Sequence, residues 1–323
     1  MSAALRIVAT APVPPVAHRA FAELGRIAVA GVEAAALRDA QVLLVRGTPL
    51  SAAMIDAAPG LRVIARTGAG YDGVDIAAAT ERRIPVLYAP GAGTVPLAEG
   101  TIALMLAAAK RLTELSAIVR TGSWAARYEV EAIDLHGATL GIIGLGSIGQ
   151  EVARLAQAFG MIVLACDPAF VRADEAPRSI EPVSLDELTS RADVISLHCA
   201  LTERTRGMID RDLLRGAKRG AMLVNVARGA IVQSDDVLLQ ALREGWLSAV
   251  ALDVFTHEPP DPAHPLLSHP RVVCTPHAVG LTQRWSARVF DLLAEGVTRV
   301  LRGERPSHVV NPETLDPAST LRR

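Results

Sequence analysis

Short apolar runs rich in β-branched residues alternate with alanine-rich amphipathic stretches along nearly the whole chain. In the first third, residues 5–9, 42–45, 63–65 and 86–88 have the length and composition of strands buried on both faces. Between them, residues 51–58 and 73–82 place apolar side chains at helical spacing. This βαβα rhythm predicts a parallel sheet with helices on both faces. A long helical stretch follows, roughly 96–120, with Pro96 where a first turn tolerates it. Gly122, Gly137 and the polar residues between them interrupt the pattern. The alternation then restarts with tighter strands at 139–143, 161–166, 193–197, 222–225, 249–252 and 272–274. We therefore expect a second α/β unit over about 99–284. A last helical stretch, 282–301, is long enough to run back to the first unit, and the tail from Asn311 onward reads as polar and mobile.

Length agrees with two units, since 323 residues at ~150 per domain suggests two. Half the residues are apolar and 21% are charged, as in soluble globular proteins. Lys plus Arg is 33 and Asp plus Glu is 34, a formal net charge of -1, which excludes a generally basic nucleic-acid coat. Only Lys110 and Lys218 are lysines, so Schiff-base chemistry has few candidates. Cys166, Cys199 and Cys274 cannot pair completely, and reduced thiols in the cytoplasm are the simplest reading. Residues 1–17 make a poor secretory signal. The most apolar stretch, 101–109, is shorter than the ~20 residues a membrane span needs.

The sharpest local signal is TLGIIGLGSIG at 139–149. A strand runs into Gly144-x-Gly146-x-x-Gly149, and a helical pattern, 150–159, follows at once. Such glycines allow a tight turn, close approach of a pyrophosphate and close packing of helix on strand. Helix N-terminal amides would then face phosphate oxygens. The next strand ends at Asp167, 23 residues after Gly144, where a carboxylate can accept hydrogen bonds from both adenosine ribose hydroxyls. The turn beyond it reads Asp167-Pro168-Ala169-Phe170-Val171, and its first cation is Arg172. With no arginine at the start of that turn, NAD is expected in preference to NADP.

Three further polar residues follow strands of the same unit, where an open parallel sheet places its ligands. Arg228 comes after MLVNVA, Glu258 after AVALDVF and His277 after VVCTP. A guanidinium can hold a carboxylate or carbonyl oxygen, and an imidazole can take or return a hydroxyl proton near neutral pH. An adjacent carboxylate would orient the ring and favour its charged form. Each residue alone also fits a plain structural role: a strand-end cap, a solvated loop acid or a core histidine. His257, His264, His269 and His277 fall in one stretch, but no two sit at helical ligand spacing and six prolines break the segment. No metal site is expected.

From about Val42 to Asn311 the sequence resembles the D-isomer-specific 2-hydroxyacid dehydrogenase family. The resemblance rests on RTGAGYDGVD (66–75), APGAGTVPLAEGTIALML (89–106), GIIGLGSIGQEVA (141–153), NVARGAIV (225–232), ALDVFTHEPP (251–260) and TPHAVG (275–280). It implies two Rossmann-like, doubly wound parallel-sheet domains. The substrate domain would be discontinuous (1–98 and 285–323), and the NAD-binding domain would span 99–284. It also implies Arg228, Glu258 and His277 as the catalytic set, Asp167 as the ribose acid and Asp253 as a nicotinamide-side contact. Further cofactor contacts would come from Gly144, Gly146, Ser147, Ile148 and Gly149, and from Cys199, Val226, Ala227 and Gly280, with Arg228 and His277 bordering the same site. A small 2-hydroxy or 2-keto acid is the implied substrate, held by Arg228 and by main-chain amides of Gly68, Ala69 and Gly70. Arg46 aligns with an arginine near the substrate phosphate of 3-phosphoglycerate dehydrogenases. Glyoxylate or hydroxypyruvate reduction is the competing assignment, and an NAD-sensing co-repressor the rival from another class. A homodimer is expected. The chain departs from the family pattern at Tyr88, Gly93, Gly100 and Ala200.

Overall fold

The computed structural model describes residues 4–31, 33–170 and 179–315. It divides into two compact units, Met1–Gly93 with Leu281–Arg323, and Thr94–Gly280.

In the first unit, β1 (Ile7–Ala9), β2 (Ile27–Val29), β3 (Val42–Val45), β4 (Val63–Arg66) and β5 (Val86–Leu87) form a parallel sheet in the order β2-β1-β3-β4-β5. Successive side chains point to opposite faces, so both faces carry a core. Ile7, Val42, Leu44 and Val63 pack with Phe21 and with Val289, Phe290 and Leu293 of the helix Gln283–Leu301. Val8, Leu43, Ile64 and Val86 pack on the other side with Leu37 and Ile55. The β2 strand escapes the hydrophobic pattern because it is a three-residue edge strand with only Ile27 buried.

The second unit holds β6 (Thr139–Ile143), β7 (Ile162–Cys166), β8 (Glu181–Pro182), β9 (Val194–Leu197), β10 (Ala221–Asn225), β11 (Leu247–Leu252) and β12 (Val272–Cys274). All pair in parallel, in the order β12-β11-β10-β9-β6-β7-β8. The order reverses at β6, with β7 and β8 on one side and β9 to β12 on the other. That reversal opens a crevice at the carboxyl ends of β6 and β9, where ligands of such sheets bind.

The helical stretch expected over 96–120 is two helices, Thr94–Ala109 and Leu112–Thr121. Arg111 separates them in a left-handed conformation (φ 54°). The first helix buries Ala98, Ile102 and Met105 against Leu140 and Ile142, so the unit boundary falls at its first residue. At the other boundary Gly280 sits against that helix: a Cβ there would lie 2.7 Å from Leu97 Cδ2.

The polar tail is also corrected at its start. Asn311 is fully buried: its Oδ1 accepts from Val86 N (2.8 Å), and its Nδ2 donates to Thr80 Oγ1 and Ile84 O (both 3.0 Å). A short 3-10 turn, Pro312–Leu315, follows. Among the described residues no helix is long and apolar enough to cross a membrane.

Candidate active site

Arg228, Glu258 and His277 follow β10, β11 and β12, three strands adjacent in the sheet. Glu258 and His277 meet directly, with His277 Nδ1 2.7 Å from Glu258 Oε2. A carboxylate can only accept, so Nδ1 donates and Nε2 is left as the ring's proton-exchanging atom. Glu258 Oε1 accepts from Phe255 N (3.1 Å), which ties the carboxylate to its own loop. Burial pushes the Glu258 carboxyl up. The hydrogen bond and charge of His277, the Phe255 amide and the Arg228 charge outweigh burial and hold the carboxyl below its ordinary range. Arg228 donates from Nη1 to Ala227 O (2.7 Å).

Two devices hold the Arg228 loop. Asn225, buried at the end of β10, accepts from Ala227 N and donates to Arg228 O (both 3.0 Å). Gly229 lets the loop rest on the chain after β11: a Cβ there would lie 1.8 Å from Phe255 O. His277 itself has φ 52°, a left-handed conformation that costs a non-glycine residue about 1–3 kcal/mol unless its surroundings impose it.

The glycine motif has the shape a dinucleotide needs. A Cβ on Gly144 would lie 2.5 Å from Cys199 N, and one on Gly149 would lie 2.2 Å from Gly144 O. Those two glycines are therefore required by the protein's own packing. Gly146 is different: among the described residues a Cβ there meets nothing within 4 Å. It is the N-cap of the helix Ser147–Ala158, whose first amides have no capping side chain. An open space in front of unsatisfied helix N–H groups suits a pyrophosphate. Asp167 spans the turn, accepting Leu145 N on Oδ2 (2.6 Å) and Ala169 N on Oδ1 (2.8 Å). Each oxygen keeps acceptor capacity for a ribose hydroxyl. Val226 and Ala227 follow β10 and Cys199 follows β9, all at the same end of the sheet. Arg172 lies outside the described residues.

Asp253 is buried at the end of β11, and its Oδ1 accepts from Thr275 Oγ1, Ala278 N and Val279 N. Gly100, one of the departures from the family pattern, is explained by the same loop. A Cβ on Gly100 would lie 2.6 Å from Val279 Cγ2, which leaves no room for a bulkier residue.

All three cysteines are unpaired, and burial raises each thiol, that of Cys199 to about 11. They are poor nucleophiles at neutral pH. Among the described residues no three His, Cys, Asp or Glu side chains group to hold a metal.

In the first unit Gly68 has φ 147° and its N–H donates to Arg66 O (2.9 Å). Tyr71, just beyond Ala69 and Gly70, meets the ring of Tyr88 edge-on at 5.5 Å, and Tyr88 meets His308 at 6.2 Å. Tyr88, where the family pattern has asparagine, is thus the centre of a small edge-to-face ring cluster. Arg46 is half-buried, with its guanidinium carbon 6.0 Å from the centre of the Trp285 ring. Its Nη1 is buried without a hydrogen-bond partner among the described residues, and burial lowers its pKa.

Strand order, phosphate turn and strand-end acid place the second unit among the dinucleotide-binding α/β domains. The profile of the D-isomer specific 2-hydroxyacid dehydrogenase NAD binding domain matches residues 102–279, and the chain belongs to that family. It is 40% identical over 314 residues to the D-3-phosphoglycerate dehydrogenase of Methanocaldococcus jannaschii, an alignment covering 95% of this chain but 59% of that protein. It is also 40% identical over 270 residues to the glyoxylate reductase of Korarchaeum cryptofilum, covering 83% of this chain and 81% of that one. A crystal structure of a protein from Thermus thermophilus superposes with a TM-score of 0.87 at 36% identity, covering 95% of this chain and all of the other.

Proposed function

We propose that this chain is an NAD-dependent oxidoreductase that moves a hydride between nicotinamide C4 and C2 of a small D-2-hydroxy or 2-keto acid. The observation that carries this reading is the His277–Glu258 pair at 2.7 Å, on loops adjacent to the one that bears Arg228. When bound, the dinucleotide supplies or accepts the hydride. Gly146 and the first turn of the helix Ser147–Ala158 hold its pyrophosphate, and Asp167 accepts from its ribose hydroxyls. The Asp167 carboxylate would repel a 2′-phosphate, so NAD is the cofactor rather than NADP. Arg228 holds and polarises the substrate's carboxylate or carbonyl oxygen. His277 Nε2 takes the hydroxyl proton in oxidation and returns it in reduction. Glu258, held ionised, keeps Nδ1 protonated and directs Nε2 to the substrate.

In the first unit, the Ala69 and Gly70 amides are assigned to the substrate carboxylate, since the Gly68 amide is already spent on Arg66 O. Arg46, whose buried Nη1 has no partner among the described residues, suits an acidic distal group such as the phosphate of a 3-phosphoglycerate-like substrate. Glyoxylate or hydroxypyruvate is the smaller alternative. A homodimer fits an exposed aromatic surface on the second unit, where Trp124 is 62% and Tyr128 80% exposed with Arg127 against both rings. A monomer by sedimentation velocity would overturn that assignment. Unpaired thiols suit a reducing compartment, and we place the protein in the cytoplasm.

The test is NADH oxidation across 3-phosphohydroxypyruvate, hydroxypyruvate, glyoxylate, pyruvate and longer 2-keto acids. His277→Ala should lower turnover by ~100-fold or more while NADH affinity stays nearly unchanged. Near-normal turnover by that variant would refute the assignment of His277. No turnover of any acid by the parent, with tight NADH binding and capture of a peptide partner, would favour an NAD-sensing binding protein instead.

A further inference from the structure

His277 faces a problem that its contact with Glu258 does not solve. Its backbone is left-handed, a conformation that a non-glycine residue keeps only where its neighbours impose it. The turn that carries it projects beyond β12, a strand of three residues at the edge of the sheet. The ring hydrogen bond fixes where Nδ1 points but not the path of the chain on either side.

The buried carboxylate of Asp253 supplies that control. Its Oδ1 accepts three hydrogen bonds, from Thr275 Oγ1 (2.6 Å), Ala278 N (2.8 Å) and Val279 N (3.1 Å). The three donors bracket His277 on both sides. Asp253 is itself fixed by strand register, since its N–H donates to Asn225 O and Leu252 pairs with Cys274 across the ladder. Thr275 N continues that ladder by donating to Leu252 O (2.9 Å), which sets the threonine side chain beside the carboxylate. The remaining bond of the turn, His277 N to Thr275 O at 3.0 Å, closes it tightly around the histidine. Charge-assisted bonds to a carboxylate that is only 1% exposed are stronger than neutral ones and poorly replaced by water.

We infer that Thr275 and Asp253 are positioning residues for His277, acting through the turn 275–279 rather than on the substrate. The inference rests on the proposed role of His277, and it extends to Thr275 a part in the reaction. Asp253 then has two tasks, since the family resemblance also places it beside the nicotinamide. Holding the histidine turn and bordering the cofactor with one buried group would keep the proton-transferring and hydride-transferring partners in fixed register.

The experiment compares Thr275→Val, which keeps shape but removes the donor, with Thr275→Ser, which keeps it. Thr275→Val should lower kcat by ~10-fold or more, with KM and the NADH dissociation constant within ~2-fold, and Thr275→Ser should stay within ~3-fold of the parent. In a Glu258→Gln background the same valine substitution should cost less than ~2-fold, because the histidine has already lost its orientation. In the cofactor-free protein, hydrogen exchange at the Ala278 and Val279 amides should quicken by ~10-fold or more in Thr275→Val. If the valine variant fails to fold, Thr275→Ala serves in its place for every readout. Unchanged kcat, or penalties that simply multiply with Glu258→Gln, would overturn the inference. So would unchanged exchange at the two amides, a result that stands whether or not the parent reduces any acid tested.

Discussion

Gly229→Ala should disable the site by moving two of its residues at once. A Cβ at Gly229 would lie 1.8 Å from Phe255 O, 1.9 Å from Phe255 C and 2.6 Å from Thr256 N. All three are backbone atoms, so no side-chain rotation can relieve the clash. Reaching even a tight 3.0 Å contact requires the two segments to part by at least 1.2 Å (3.0 − 1.8). One segment carries Arg228, which immediately precedes the glycine. The other carries Phe255, whose amide holds Glu258 Oε1. A displacement of about 1 Å in reacting groups can cost ~100-fold in rate, so kcat/KM should fall by ~100-fold or more, about 2.7 kcal/mol. Overpacking a buried position typically costs about 1–3 kcal/mol of stability, which in a domain of this size lowers Tm by ~2–12 °C. Steady-state NADH oxidation and thermal melts measure both effects. Gly216→Ala is the control, since among the described residues a Cβ there meets nothing within 4 Å. A Gly229→Ala protein with Tm within ~1 °C and kcat/KM within ~2-fold of the parent would refute the steric reading.

The same logic separates the glycines of the phosphate turn. Gly146→Ala should leave Tm unchanged, because its Cβ enters open space, yet weaken NADH binding by ~10-fold or more as measured by fluorescence titration. Undiminished affinity would place the pyrophosphate elsewhere. Acid stability should be governed first by His198, which burial pushes down to about 4 from an ordinary 6.5. Its Nε2 pairs with Ser196 Oγ (2.8 Å), while its Nδ1 is buried without a partner among the described residues. Between those two values the unfolded chain binds a proton that the folded chain refuses, so stability falls as pH drops from 6.5 to about 4, by ~3 kcal/mol in all. Glu258 contributes at lower pH. Its depressed pKa adds stability that is present above 4.5 and is lost as pH falls through its folded value. Urea unfolding of the parent and of His198→Gln over pH 4 to 7 tests the first claim, and equal slopes for the two proteins would contradict it.

The chain's own pattern determined the parallel sheets, the phosphate turn and the chemical cluster, because each follows from a local rule. Strands buried on both faces read as continuous apolar runs, and a parallel sheet puts its ligands where those runs end. Arg228, Glu258 and His277 could be found by their position just past such runs, and Gly144, Gly146 and Gly149 by their spacing between strand and helix. What followed from three-dimensional approach was not readable. Nothing near Gly229 in the sequence signals that Phe255 O will press against it, and nothing near Thr275 reveals a carboxylate 22 residues earlier. Asp253 is a buried polar group whose partners in the turn 275–279 exist only once β11 and β12 are in register. Edge strands β2 and β8 bury too little to leave an apolar signature. Arg111 breaks a helix that composition would continue, and Asn311 became an anchor rather than the start of a tail because backbone groups 225 or more residues earlier needed partners. Local periodicity records which face of an element is dry. Only the packed structure decides which buried polar atom, or which missing Cβ, another part of the chain will require.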